Sequence, residues 1–468
     1  MSEPIVSPID GQVTAHFEYL SLERAQGRVD AAREAQRDWG RTSIATRVAL
    51  CLGMLDAFER KLESHAQAIS KMMGKPVTEA RGEARTMRAR VQALCALAPA
   101  ALADEHLSEP EAPALGEPGR LRRFIRREPV GVVLDIAAWN YPLLVPMSVV
   151  VGAVLAGDAA LIKHAPQTGL VGAFLADAFA EAGAPAGLVA DFMCTHETVG
   201  ALLDARAFDQ VAFTGSTRGG GEVQRAAARA NFFPVGLELG GKDPALVLPD
   251  CDFEFTVANL VEGAFYNAGQ SCAAVERIYV HAEIWDRFVD AFQAQVAGLR
   301  MGDPLDSATT LGPVVDPAAA SRIRAQVDAA RSAGARELGG GLDFDCPRGD
   351  CYLPPAVFVD VDHSMALMRE ETFGPAIGLM KVDDAGAGID RMNDSPYGLT
   401  ASIWSRDDAR VLSLAAEVQA GTVFQNRCDY LDPELPWVGT KDSGHGTSLS
   451  HLGLRALTRP KSFHLRTR

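Results

Sequence analysis

Residues 210–221 read QVAFTGSTRGGG. The apolar run before Gly215 predicts a short strand, and the Gly/Ser/Thr turn after it opens a helix. Backbone N–H groups at such a helix start favour phosphate. The spacing is not GxGxxG, so the ordinary dinucleotide fingerprint is absent. A tight turn without a ligand accounts for the segment equally well.

Its neighbours decide the fold. Upstream lie a short apolar strand, AALIKH (159–164), an amphipathic helix, GLVGAFLADAFAEAG (169–183), and a strand, LVADFMC (188–194). Downstream comes FFPVGLEL (232–239). Strands that are apolar throughout and alternate with helices predict a parallel sheet covered on both faces. A second series starts at PALVLPD (244–250). It continues through a helix over Phe253–Tyr266, the strand ERIYVH (276–281) and a helix from Ile284. The strands AVFVDV (356–361), AIGLMKV (376–382), LTASIWS (399–405) and GTVFQNR (421–427) complete it. The expected fold is therefore α/β, with two doubly wound units in series.

Residues ~19–102 carry helical periodicity, as in RVDAAREAQRDWG (28–40) and RARVQALCALAPAALA (88–103). A Pro/Glu-rich linker, SEPEAPALGEPG (108–119), follows. RLRRFIRREPVGVVLDIAAWN (120–140) predicts an exposed basic strand, a turn and a buried strand. The basic tail RPKSFHLRTR (459–468) is also strand-like. Exposed strands need a partner, and another subunit is one way to provide it.

The 468 residues bear a net charge of −15, with 47% hydrophobic and 22% charged residues. A chain of this length can bury a large core without disulfides or metals. The acidic balance argues against nucleic acid and acidic membrane surfaces. The eight cysteines form no CxxC pair, so zinc is not expected. Cys346 and Cys351 fall in what reads as an exposed turn. Scattered cysteines suit a reducing cytoplasm, and MSEPIVSPID shows no signal-peptide pattern. The uncharged stretch Asn140–Gly157 is broken by Pro142 and Pro146 and reads as a buried helix.

Several residues could carry chemistry. Cys272, in YNAGQSCAAVERIYV (266–280), is a nucleophile or a small core thiol. Glu238 ends an apolar strand, where open α/β sheets bind ligands; it is a general base or half of an ion pair. Asn140, in AAWNYPLL (137–144), stabilises an oxyanion or caps a turn. REETFGP (369–375) is a solvated acidic turn, or a carboxylate for ribose hydroxyls beside an aromatic ring.

Taken together, WNYP, LIKHAP, FTGST, LELGGKDP, GQSC, EETFGP and KDSGHG resemble the aldehyde dehydrogenase superfamily in order and spacing, over nearly the whole chain. The resemblance implies Cys272 as nucleophile, Glu238 as general base and Asn140 as oxyanion support. It places Lys163 on the adenosine ribose and Glu371 on the nicotinamide ribose, with Phe373, Trp139, Gly215 and Ser216 also against the cofactor, NAD or NADP. It implies a cofactor-binding domain over 1–118 and 130–240, a catalytic domain over 241–445, and oligomerisation segments at 119–129 and 446–468. A cytoplasmic homodimer or homotetramer acting on a small aldehyde is expected, without nucleic acid or membrane partners. Hydrolytic members of the family pass through a thiohemiacetal and a thioester on the cysteine. A CoA-acylating enzyme is one rival, a cofactor-independent thiol esterase another, and a non-catalytic scaffold a third. Glu238 argues against the first, Lys163, Glu371 and Phe373 against the second, and the Cys272, Glu238 and Asn140 set against the third.

Three departures stand out. Pro166 occupies a position that is often glutamate in NAD-preferring members, so NADP use is expected. Gly219 replaces a β-branched residue, which loosens the helix start. The segment after Asn140 has no Arg or Lys to match a carboxylate on the substrate, which weakens, without excluding, a semialdehyde substrate. Arg427, Asp429 and Tyr430 belong to the substrate entrance or to a solvated loop.

Overall fold

The runs predicted as apolar strands pair as two parallel sheets. The structure is a computed structural model describing residues 2–108, 120–230, 234–338 and 349–467. Linker residues 109–119, Phe232, Phe233 and Cys346 lie outside the described residues.

The first sheet runs in the order Gly444–His445, Val235–Glu238, Gln210–Thr214, Val132–Ile136, Ala159–Lys163, Val189–Asp191. All neighbours are parallel except the Gly444–His445 edge. Its central strands, Val132–Ile136 and Ala159–Lys163, are buried along their full length. Each such Val, Leu or Ile contributes about 1.5–3 kcal/mol through burial. The chain leaves Val132–Ile136 in one direction and returns on its other side at Gln210–Thr214. That reversal is where doubly wound sheets open a ligand crevice at their carboxyl ends.

The second sheet runs Arg336–Leu338, Ala356–Val359, Ala376–Val382, Val275–His281, Asp243–Val247, Thr400–Trp404, Thr422–Gln425. Only its Arg336–Leu338 edge is antiparallel among the described strands.

Helices Leu22–Trp39, Ile44–Glu59, Leu62–Met73 and Val77–Ala101 fill the amino-terminal region as expected. The Asn140–Gly157 stretch becomes the helix Leu144–Ala156, apolar on every side, which packs against Val77–Ala101. Among the described residues no helix is long and apolar enough to cross a membrane. The hairpin Ser2–Val6/Val13–Glu18 and the helix Pro317–Ser332 have no counterpart among the expected elements.

The two basic strands find each other within the chain. Arg120–Pro129 pairs antiparallel with Thr458–Thr467, and Glu105–His106 adds a third strand. Phe124 and Phe463 sit opposite one another with rings stacked at 4.4 Å. Asp104 and Glu128 offset the repulsion through Arg126 and Lys461, at 2.8 and 3.0 Å. One correction concerns Cys351, which is buried rather than in an exposed turn.

Candidate active site

The candidates from the first unit gather at the carboxyl ends of its strands. Lys163, Thr214 and Glu238 are last residues of their strands, and Asn140 follows just after Ile136. The second unit contributes from its amino ends. Cys272 precedes Val275–His281, and Glu371 and Phe373 precede Ala376–Val382.

Cys272 is presented by a strained turn. The helix predicted to reach Tyr266 ends at Phe265, and Tyr266–Gly269 follows as a tight turn. Asn267 and Ala268 have φ of 52° and 55°, a region costly for side-chain-bearing residues. Glu79 supports the turn from the helix Val77–Ala101, its Oε2 accepting the Asn267 N–H at 3.0 Å. Burial pushes the Glu79 carboxyl up to about 8. The Asn267 amide donates to the Asn140 and Gln270 carbonyls at 3.2 Å, and the Asn140 amide donates to Gln270 O at 3.2 Å. All three side chains are buried, so the network is stiff. An NH₂ carries two protons, so Asn140 keeps one beyond its Gln270 bond.

Cys272 and Glu238 line one cavity of about 380 Å³. Burial pushes the Cys272 thiol well above its ordinary value, and Asp429, Asp243, Glu238 and Glu371 push it further. Burial also raises the Glu238 carboxyl, against the charge of Arg90. Arg427, Asp429 and Tyr430 line the same cavity. Ser271 donates to Asp429 at 2.8 Å, and the Arg427 guanidinium lies 3.3 Å from the Tyr430 ring centre.

Glu371 leans on the glycines between the two sheets. Its Oε1 accepts the Gly241 N–H at 3.1 Å. A Cβ at Gly240 would lie 2.3 Å from that oxygen, so glycine makes the approach possible. Burial raises the Glu371 carboxyl to about 7. Phe373, at φ 49°, turns its ring edge-on to Trp139 at 5.4 Å.

A buried ion pair holds this segment. Glu276 accepts Lys242 Nζ at 2.6 Å, Thr372 N–H at 2.8 Å and Phe373 N–H at 2.9 Å. In Glu276→Gln an amide NH₂ would face N–H donors. We expect destabilisation by about 3–5 kcal/mol, read as the denaturation midpoint, together with a raised KM for cofactor. A folded Glu276→Gln enzyme with normal cofactor KM would remove Glu276 from this role.

At the far end Lys163 is 3% exposed, and burial lowers its pKa. The Gly215 N–H donates to the Glu238 carbonyl at 3.0 Å, and Ser216 Oγ accepts Gly219 N–H at 3.2 Å, capping the helix Thr217–Ala230. Gly219 has a packing reason. A Cβ there would lie 2.8 Å from the Phe213 ring, so a β-branched residue would require that ring to shift.

The model of the aldehyde dehydrogenase family matches residues 2–463. The chain belongs to the aldehyde dehydrogenase family. It is 32% identical over 450 residues, 96% of each chain, to succinate-semialdehyde dehydrogenase [NADP(+)] 1 of Mycobacterium tuberculosis. It is 33% identical over 464 residues, 99% of each chain, to an aldehyde dehydrogenase of Paenarthrobacter nicotinovorans. An NADP-dependent glyceraldehyde-3-phosphate dehydrogenase from Bacillus halodurans, solved with NADP, superposes with a TM-score of 0.92 at 31% identity. That match covers 100% of this chain and 96% of the other.

For an aldehyde dehydrogenase, four further residues at this site escape a reading of motifs: Glu79, Arg90, Lys242 and Glu276. Lys242 and Glu276 left a usable signal, since a charge beside an apolar strand must find a partner when buried. Glu79 and Arg90 left none. They sit in a charged helix where solvent exposure is the ordinary expectation.

Proposed function

We propose that this enzyme oxidises an aldehyde to a carboxylic acid by the hydrolytic route, with Cys272, Asn140 and Glu238 in the roles the family resemblance implies. The carrying observation is that Cys272 and Glu238, from different sheets, line one cavity. Cys272 Sγ bonds to the aldehyde carbon. Cys272 attacks as the thiolate, its proton having been lost to solvent beforehand. The oxyanion accepts a hydrogen bond from the free Asn140 amide N–H. Loss of hydride leaves a thioester on Cys272. Glu238 then takes a proton from water, which attacks the thioester and frees the acid.

The residues around Lys163 and Glu371 fit a dinucleotide. Lys163 is a buried cation with no carboxylate pairing with it among the described residues. Glu371 occupies the hollow left by Gly240, two residues before Phe373, whose ring meets Trp139. Bound NAD or NADP supplies the hydride acceptor. Near Lys163, His164 is held neutral by burial, with Nε2 2.9 Å from the Pro142 carbonyl, and Pro166 begins a short 3₁₀ turn. Neither repels a 2′-phosphate. NADP is therefore expected to be used well, and kcat/KM for both cofactors checks it. An NAD preference of about 100-fold or more would overturn that expectation.

A further inference from the structure

Arg90 reaches the Cys272 cavity from the helix Val77–Ala101. It is 4% exposed. Its Nη1 donates to the Leu144 carbonyl at 3.1 Å and to Ser148 Oγ at 2.9 Å. Its Nε finds no acceptor among the described residues. A buried guanidinium with a donor left over is unfavourable unless something arrives to take it. Burial lowers the Arg90 pKa only to about 10, so the group is charged at neutral pH.

Among the described residues no acid along the cavity forms an ion pair with it, though the Glu238 charge favours its protonated form. Glu83 is paired with Lys75 at 2.6 Å and accepts the Leu143 and Leu144 N–H groups, capping the helix Leu144–Ala156. Asp429 accepts from Ser271. Glu238 acts on Arg90 through charge alone. Glu262 and Arg427 are exposed. A positive group therefore stands in the cavity interior, anchored by two acceptors and already oriented. A guanidinium fork held this way suits a carboxylate.

We propose that Arg90 binds the substrate's distal carboxylate, and that the preferred substrates are short oxo acids whose aldehyde carbon meets Cys272. The proposal rests on the aldehyde-oxidising reading of this cavity. It also replaces the expectation drawn from the segment after Asn140. The matching cation comes from a different helix, about a third of the way along the chain from that segment's start to its amino end.

The test compares kcat/KM for 4-oxobutanoate and for butanal, its uncharged counterpart of equal length, in wild type, Arg90→Lys and Arg90→Met. Wild type is expected to favour the oxo acid, and Arg90→Met to lower the oxo acid/butanal ratio by about 100-fold. Arg90→Lys keeps the charge without the fork and should fall between; it carries the test if Arg90→Met does not fold. Succinate binding to Cys272→Ala by calorimetry needs no turnover and is expected to weaken at least about tenfold when Arg90→Met is added. A wild-type preference for butanal, or a ratio that Arg90→Met leaves unmoved, overturns the proposal. So does an equal loss for both substrates with a shifted pH profile for butanal, which would place Arg90 behind Glu238 instead. If no aldehyde is oxidised but succinate binding still depends on Arg90, the anion site stands and the proposed reaction falls.

Discussion

Cys272→Ala is expected to lose dehydrogenase activity by roughly 10⁴-fold or more while still binding dinucleotide. The reason is chemical: without Sγ no thiohemiacetal forms, and hydride has no activated carbon to leave. A neighbouring thiol will not substitute. Cys428 lines the same cavity, but burial raises its pKa and its Sγ points to the Asn259 carbonyl at 3.5 Å. Absorbance of the reduced cofactor, followed over an aldehyde panel, reads the loss. Quenching of tryptophan fluorescence by the dinucleotide shows that the fold survives. Full activity in Cys272→Ala would end the proposed mechanism.

Glu238→Gln is expected to divide the reaction in two. A burst of reduced cofactor should appear, about one equivalent per site, followed by a steady rate lower by roughly 10²–10⁴-fold. The amide cannot take a proton from water, so the thioester persists. The pH dependence adds a signed check. In wild type both Cys272 and Glu238 carry raised pKa values and act deprotonated, so activity rises as pH increases through them. The Glu238 charge is one cause of the raised thiol pKa. Removing it lowers that pKa, so the burst in Glu238→Gln should set in at lower pH than wild-type acylation. Rapid-mixing kinetics between pH 6 and 9 separates the two phases. A normal steady rate in this variant would take Glu238 out of the hydrolytic step.

Much of the architecture was legible because it depends on neighbours in sequence. AALI is apolar at every position, and the strand it opens, Ala159–Lys163, is buried on both faces. Leu144–Ala156 has no polar face and became a buried helix. The terminal basic strands were also visible, but their partner was not. Pairing Arg120–Pro129 with Thr458–Thr467 joins segments from distant parts of the chain, and nothing local to either names the other.

The site divides along the same line. Cys272, Glu238 and Asn140 lie in motifs whose local form, a glycine turn or the end of an apolar strand, marks them without coordinates. Glu79 and Arg90 carry no such mark; helical periodicity around them reads the same whether they face water or a cavity. Sequence alone determined the α/β class, the strand order along the chain and the reacting side chains proposed here. Tertiary structure decided which charges are buried and what each one meets: Glu276 with Lys242, Glu79 under the turn before Cys272, Arg90 beside the thiol. The physical reason is range. Backbone preference and hydrophobic period act over a few residues, whereas a buried charge is settled by whatever group the fold brings to it.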